Sequence, residues 1–291
     1  MAADAGAQVT ELTDEDHACL TFGEPEELAD LTAAFIRDGL AGGLKVMWLS
    51  DASAAGAVVE LARRGIDPAP ALERGQLAAI ACDGRLLAGQ AFRARDAVAW
   101  LAAQLEASRR DGFPGLRVAV DMSWALRPVT GVQELPAFEE GIAAVLAGST
   151  AAVLCQYDRE KFDPVTLASV AGFHTRSVTA ATYYADPLLR ICRQYAPPGI
   201  RIAGELDYQA AEPLALALAE TVRLGGDITV NMTALAFIDA RCSLMVADAA
   251  RTVAAASRRV RLRCLPEVAA GFARLGLGAV PGITMVTDDD H

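Results

Sequence analysis

The sequence predicts an α/β protein: a mainly parallel sheet covered by helices, followed by a smaller mixed sheet with helices against it. Three observations predict it. Short apolar runs alternate with longer helical patterns from Cys19 onward. Strands alternating with helices imply crossover connections and a parallel sheet buried on both faces. The pattern breaks once, in RQYAPPGI, where Pro197, Pro198 and Gly199 interrupt it. The 291 residues give room for about two domains.

In order, residues 1–15 are polar and Ala-rich and read as a loose tail. LKVMWLS (44–50), QLAAIAC (76–82), GLRVAVDMSW (115–124) and AAVLCQYD (151–158) read as buried strands. The helical patterns are 53–65, ended by Gly65 as a left-handed cap, 94–112, 135–148, and 163–174 with Pro164 in its first position. Val98, Leu101, Ala102 and Leu105 share one face of the 94–112 helix. After a linker at 193–199, IRIAGELD, ITVNMT and VRLRCL read as strands separated by three helical patterns, over residues 200–287. The acidic residues 288–291 read as a tail.

Composition narrows the function classes. Asp and Glu number 37 against 26 Lys and Arg, a formal charge of -11. Such a chain lacks the basic surface that nucleic acid or an anionic membrane requires. No apolar run is long enough to span a bilayer, and the N-terminus has no basic-then-apolar layout, so a cytoplasmic location is expected. The six cysteines form no C-x-x-C pair, which argues against a zinc ribbon.

Parallel sheets bind ligands at the carboxyl ends of their strands. Those ends carry Ser50 and Asp51, Cys82 and Asp83, Asp121 and Trp124, and Gln156, Tyr157 and Asp158. His17 and Cys19 lie two apart, so an extended backbone points both to one side. Glu139 sits on an apolar helix and, if buried, needs a partner such as Arg117 or Arg127. Trp124 and Tyr157 are candidates for the wall of an apolar pocket, with core packing as the alternative.

Residues 16 to about 190 resemble the MEDS family of sensory domains. The motifs are His17-Ala18-Cys19, Phe35 to Leu40, Leu116-Arg117-Val118 leading to Asp121-Met122-Ser123-Trp124, Glu139, Cys155-Gln156-Tyr157-Asp158 with Phe162, and His174. On this basis 16–192 is identified as a MEDS domain. The resemblance implies a RecA-like parallel sheet, a vestigial nucleotide site, and a sensory role in one-carbon or hydrocarbon metabolism. The input site it implies comprises His17, Cys19, Asp121, Trp124, Glu139, Cys155, Tyr157, Asp158 and His174. Where a P-loop would lie, the chain reads Thr21-Phe22-Gly23-Glu24-Pro25-Glu26-Glu27. It has no Lys and three carboxylates, which repel a triphosphate. The expectation is a non-catalytic sensor of a small ligand, its cofactor unknown. A metal- or haem-binding redox sensor using the same His and Cys residues is the alternative, and a degenerate ATPase-like scaffold is a third.

Residues 204–243 resemble the STAS domain of anti-sigma-factor antagonists. Gly204-Glu205-Leu206-Asp207 and Phe237-Ile238-Asp239 carry the likeness. The resemblance implies a STAS fold and a partner-binding surface at Asp239, Ala240, Arg241, Cys242 and Ser243. Ala240 stands where the family has its phosphorylatable Ser, so the usual switch is missing. The implied partner is an anti-sigma factor or kinase-like regulator; a purely structural or homodimerising module is the other reading.

Overall fold

The computed structural model describes residues 6–51, 53–88 and 91–287, which divide into two compact units, one ending at Thr179 and the other starting at Ala180. The acidic tail at 288–291 and the first five residues of the expected N-terminal tail lie outside the described residues.

The first unit runs β1 (His17–Phe22), α1 (Pro25–Ala41), β2 (Lys45–Ser50), α2 (Ala54–Arg63), α3 (Ala69–Glu73), β3 (Leu77–Ala81), β4 (Leu87–Ala88), β5 (Ala91–Phe92), α4 (Ala94–Arg110), β6 (Leu116–Asp121), α5 (Leu135–Leu146), β7 (Ala151–Asp158), α6 (Pro164–Ala171) and β8 (Arg176–Val178). Six strands form a parallel sheet in the order β3-β2-β6-β7-β1-β8. The strands are apolar on both faces, as a sheet covered on both sides demands. Cys19, Met47, Leu49, Val118, Val120, Val153 and Cys155 pack with α4 and α5. The alternate set faces α1: Gln156 Nε2 donates to Thr32 Oγ1 at 2.7 Å, and the Arg117 guanidinium lies over the Phe35 ring.

Local chemistry sets the element ends. Ser53 caps α2 by accepting from the Gly56 amide, and Gly65 takes φ +76° after its last turn. Asp163 caps α6, with Pro164 at its first turn as expected. The helix stops at Ala171 with Gly172 as its cap, three residues short of the expected end. His174 is thereby freed into the connection to β8. The strand at 115–124 is also shorter than expected. Asp121 accepts from the Ser123 amide and turns the chain into a 3-10 segment, Met122–Leu126.

The expectation of a loose tail over 1–15 is corrected for residues 6–15. Ala7 bridges Val178, Val9 and Leu12 are buried, and Asp16 accepts from the Thr13 backbone and side chain. Burial of two apolar side chains offsets the cost of ordering this segment.

The second unit runs β9 (Thr182–Ala185), β10 (Leu189–Tyr195), β11 (Pro198–Leu206), α7 (Ala211–Arg223), β12 (Ile228–Met232), β13 (Leu235–Ile238), α8 (Ala240–Ala255), β14 (Val260–Cys264), α9 (Pro266–Arg274) and β15 (Ile283–Thr287). Its sheet is mixed, in the order β15-β14-β12-β11-β10-β9, with β13 also paired to β11. β9, β10 and β11 are antiparallel neighbours and the remaining pairs are parallel. Leu214, Leu218, Val246, Val253 and Phe272 bring α7, α8 and α9 onto a core of strand residues. The stretch expected as a linker, 193–199, comprises the end of β10, the tight turn at Ala196 and Pro197 and the start of β11, so the division falls about a dozen residues earlier than its prolines suggested. Proline marks a break in a strand; a hairpin turn supplies one as well as a linker does.

Candidate functional site

In the first unit the structure gathers five of the nine expected input residues around one buried carboxylate. Glu139 projects from α5 with its side chain fully buried. His17, on the first residue of β1, places Nε2 3.0 Å from Glu139 Oε2. His174 places its own Nε2 3.4 Å from the same oxygen, outside hydrogen-bonding geometry. Cys155 on β7 sets Sγ 3.4 Å from Oε2 and 3.6 Å from His17 Nε2. Tyr157, two residues along the same strand face, donates its hydroxyl to Oε1. The His17 and His174 rings lie 4.2 Å apart between centroids, tilted by 44°.

Both imidazoles are oriented from behind. His17 Nδ1 faces the Phe173 carbonyl at 3.2 Å, and His174 Nδ1 faces the Val170 carbonyl at 2.8 Å. A carbonyl only accepts, so each Nδ1 carries the hydrogen and each Nε2 is turned toward the carboxylate. Burial would push Glu139 up; the two histidines beside it outweigh burial and hold the carboxyl at about 2. His17 is held below its ordinary value, by burial first and by His174 beside it. Burial, with the charge of Glu139, pushes the Cys155 thiol and the Tyr157 phenol well up, and Cys19 to about 12.

The other expected residues fall elsewhere. Cys19 pairs in register with Cys155 on the same sheet face, one step from the cluster. Asp121 stays at the end of β6 with Ser123 and the Asp51 amide. Near it Arg127 bridges Asp51 and Asp83 at 3.0 and 2.6 Å. Asp158 pairs with Lys161 at the end of β7. Trp124 is fully buried against Phe92, at 4.4 Å between ring centroids, so it belongs to the core. Tyr157 is fully buried as well. The arginine partners expected for Glu139 are also corrected: Arg117 pairs with Asp14, and Arg127 with the aspartates named above.

A cleft of about 450 Å³ opens beside the cluster, lined by Ala125, Leu126, Leu135, Pro136, Phe162, Val165 and Val170 among others. Its walls come from the segments that follow the carboxyl ends of β6 and β7, where parallel sheets place ligands. Phe162 meets the Tyr157 ring edge-on at 5.1 Å, and Val170 carries the carbonyl that orients His174. Two contacts thus join the cleft wall to the cluster. The sequence reading missed Leu126 and Val165, both exposed. The available signal was α6, whose apolar residues occupy more than one face of a short helix.

At the P-loop position the chain supplies its own anion. The Gly23 amide donates to Glu27 at 3.2 Å, Glu27 is buried, and the Arg159 guanidinium covers Gly23.

In the second unit, Gly204 adopts φ +102° on β11, and a Cβ there would meet the Leu188 carbonyl at 1.9 Å. Only glycine permits this crossing. Asp239 caps α8 by accepting from the Cys242 amide at 2.7 Å. Ala240 and Arg241 are exposed, and the Ser243 hydroxyl donates back to the Asp239 carbonyl. Cys242 is fully buried and donates its thiol to the Asp207 carbonyl, so it offers no surface to a partner. Tyr208, Phe237 and Leu244 are exposed around the same helix start.

The fold and the cluster define the first unit as a parallel α/β domain with a preassembled internal polar site. The family model of MEDS, the methanogen/methylotroph DcmR sensory domain, matches residues 16–175, and the chain belongs to that family. No curated protein matches the chain. Among solved structures, a KaiC-like protein from the hyperthermophilic archaeon Pyrococcus horikoshii is similar at 11% identity and a TM-score of 0.46, covering 62% of this chain and 79% of its own. The flagellar accessory protein FlaH from Methanocaldococcus jannaschii is similar at 12% identity and a TM-score of 0.44, covering 64% and 81%. Among the described residues no helix is long and apolar enough to cross a membrane.

Proposed function

We propose that the chain is a non-catalytic signalling regulator, in which the MEDS unit takes a small, largely apolar molecule and the second unit binds a protein partner. The observation that carries the reading is the cleft at the carboxyl ends of β6 and β7, in a domain whose family is described as sensory. Its mainly apolar walls, with Gln133, Asp163, Thr166 and Ser169 as the polar groups, suit one-carbon or small hydrocarbon-derived molecules. A ligand against Phe162 and Val170 would press on the two contacts that lead to Tyr157 and His174.

Two features support a non-catalytic role. The Cys155 thiol is sealed and pushed up by burial, the reverse of an activated nucleophile. Glu27 already occupies the amide that a phosphate would need.

For the second unit, the proposal is a STAS-type module that binds an anti-sigma factor or kinase-like regulator. Support comes from the order of Gly204 to Asp207, helix, strand, Phe237 to Asp239 and helix, and from the exposed Tyr208, Phe237, Arg241 and Leu244 around the α8 start. With Ala240 at the phosphoacceptor position, ligand binding in the first unit replaces phosphorylation as the input.

The test is thermal shift of the full chain against a panel of small halogenated and oxygenated one-carbon compounds, with Val165→Asp as the blocked-cleft control. Stabilisation of the wild type that Val165→Asp abolishes is the expected result; a flat panel rejects the cleft as input. Pull-down of purified anti-sigma kinases from the same genome tests the output. Arg241→Glu and Phe237→Ser should abolish capture, and unaltered binding by both would remove this surface from the proposal.

A further inference from the structure

We propose that His17, His174, Glu139 and Cys155 are the four ligands of one divalent transition-metal ion of the zinc type, held inside the first unit. This inference is independent of what the cleft binds.

Geometry is the first argument. The four side chains each offer one donor atom, and all four atoms lie within 4.8 Å of one another. A tetrahedral zinc ion with bonds of about 2.0–2.1 Å to N and O and about 2.3 Å to S has ligand edges of about 3.3 Å between N and O and about 3.6 Å to S. The protein has 3.0 and 3.4 Å for the two N–O edges, 3.6 Å for S–N and 3.4 Å for S–O.

Electrostatics is the second. Each Nδ1 hydrogen is committed to a backbone carbonyl, so each neutral imidazole turns the Nε2 lone pair toward a carboxylate oxygen. Lone pair against carboxylate repels. Something positive must lie between them, and one proton on His17 would relieve only one of the two contacts. His174 Nε2 has no hydrogen-bond partner although its side chain is 1% exposed. Such an orphan inside a protein calls for a ligand. A cation at the centre serves both nitrogens, the carboxylate and the sulfur together.

The surroundings fit as well. Carbonyls behind both imidazoles fix the tautomer that metal ligation needs, and Tyr157 holds Glu139 Oε1 so that Oε2 is left for the ion. Imidazole, thiolate and carboxylate together select zinc-like ions over magnesium or calcium. On binding, the Cys155 S–H bond breaks, sulfur keeps the electron pair for the metal, and the proton leaves to solvent. Ring centroids 4.2 Å apart leave no space for a porphyrin between the histidines, which favours a bare ion over haem. Four protein donors complete the tetrahedron, so the ion ties β1, α5, β7 and the segment after α6 together and keeps no open position for a substrate.

The test uses the full chain, purified without a metal-affinity column. Elemental analysis should give one zinc-like ion per chain. After chelator treatment, cobalt(II) titration should give intense visible bands and a thiolate-to-cobalt charge-transfer band, saturating at one equivalent. Cys155→Ser should lose the charge-transfer band, while Cys19→Ser keeps it. His174→Ala should weaken cobalt binding by more than the about 10–100-fold that outer partners are worth, and Tyr157→Phe should fall within that range. If a substitution unfolds the chain, the wild-type titration still decides. Absence of cobalt bands in folded wild type, or a charge-transfer band that survives Cys155→Ser, overturns the proposal.

Discussion

Glu139 and His17, 122 residues apart in sequence, meet at 3.0 Å with neither side chain more than 1% exposed. Between them they connect α5 to the first residue of β1. A charged group in such a place persists only when its oxygens are answered, and here Tyr157, His17, Cys155 and His174 surround both.

Removing that carboxylate leaves its partners buried and unanswered. In chelator-treated protein, Glu139→Leu is expected to cost about 3–5 kcal/mol of stability, measured by urea unfolding of the full chain. Loss of less than about 1 kcal/mol would mean that the cluster contributes little to the fold.

Trp124 is a core residue. Trp124→Ala is expected to destabilise by about 3–5 kcal/mol, because the cavity opens against Phe92. Trp124→Phe should cost clearly less, since the indole N–H has no hydrogen-bond partner to lose. Chemical unfolding of the two variants separates this from a role in ligand capture, where both would fold normally and fail to respond.

The turn between β9 and β10 carries a pH dependence. Asp186 accepts from the Tyr184 hydroxyl and from the Leu188 and Leu189 amides, and these hold it below its ordinary 3.8. A depressed carboxyl contributes stability above the unfolded value, and that contribution is lost as pH falls through the lower folded value. The turn is therefore expected to loosen only below about pH 4, read from amide exchange at Leu188 and Leu189. The same hydrogen bond raises Tyr184 above 10. Asp186→Asn should lower the Tyr184 titration toward 10, seen in phenolate absorption against a Tyr184→Phe blank.

ATP is expected not to bind at millimolar concentration, by calorimetry on the full chain. Glu27 accepts from the Gly23 amide, and no lysine stands in this segment. Saturable ATP binding would revive the ATPase-like scaffold.

Much of the candidate site was legible in the sequence as a set of residues, and little of it as a site. His17, Cys155, Tyr157, Glu139 and His174 stood out by resemblance. Nothing local set them apart from Asp121 and Trp124, which the fold sends to a strand end and to the core. The partner of Glu139 was misjudged for the same reason, because a buried carboxylate asks for any donor and arginine is the commonest strong one. Cys242 looked like surface because it follows a helix start, yet the helical period turns it inward beside Val246.

By itself the sequence determined the alternation of strands and helices, the parallel character of the first sheet, the glycine cap at Gly65 and Pro164 in the first turn of its helix, and the missing phosphate-binding lysine. These are local properties, set by side-chain period and backbone preference within a few residues. The tertiary structure alone decided that 193–199 lies in a β-hairpin of the second unit, and that β1, β7, α5 and the segment after α6 converge on one carboxylate. Convergence depends on strand order and register, such as Cys19 opposite Cys155, and on where α6 stops. Those follow from packing summed over the whole sheet, which no single stretch of sequence contains.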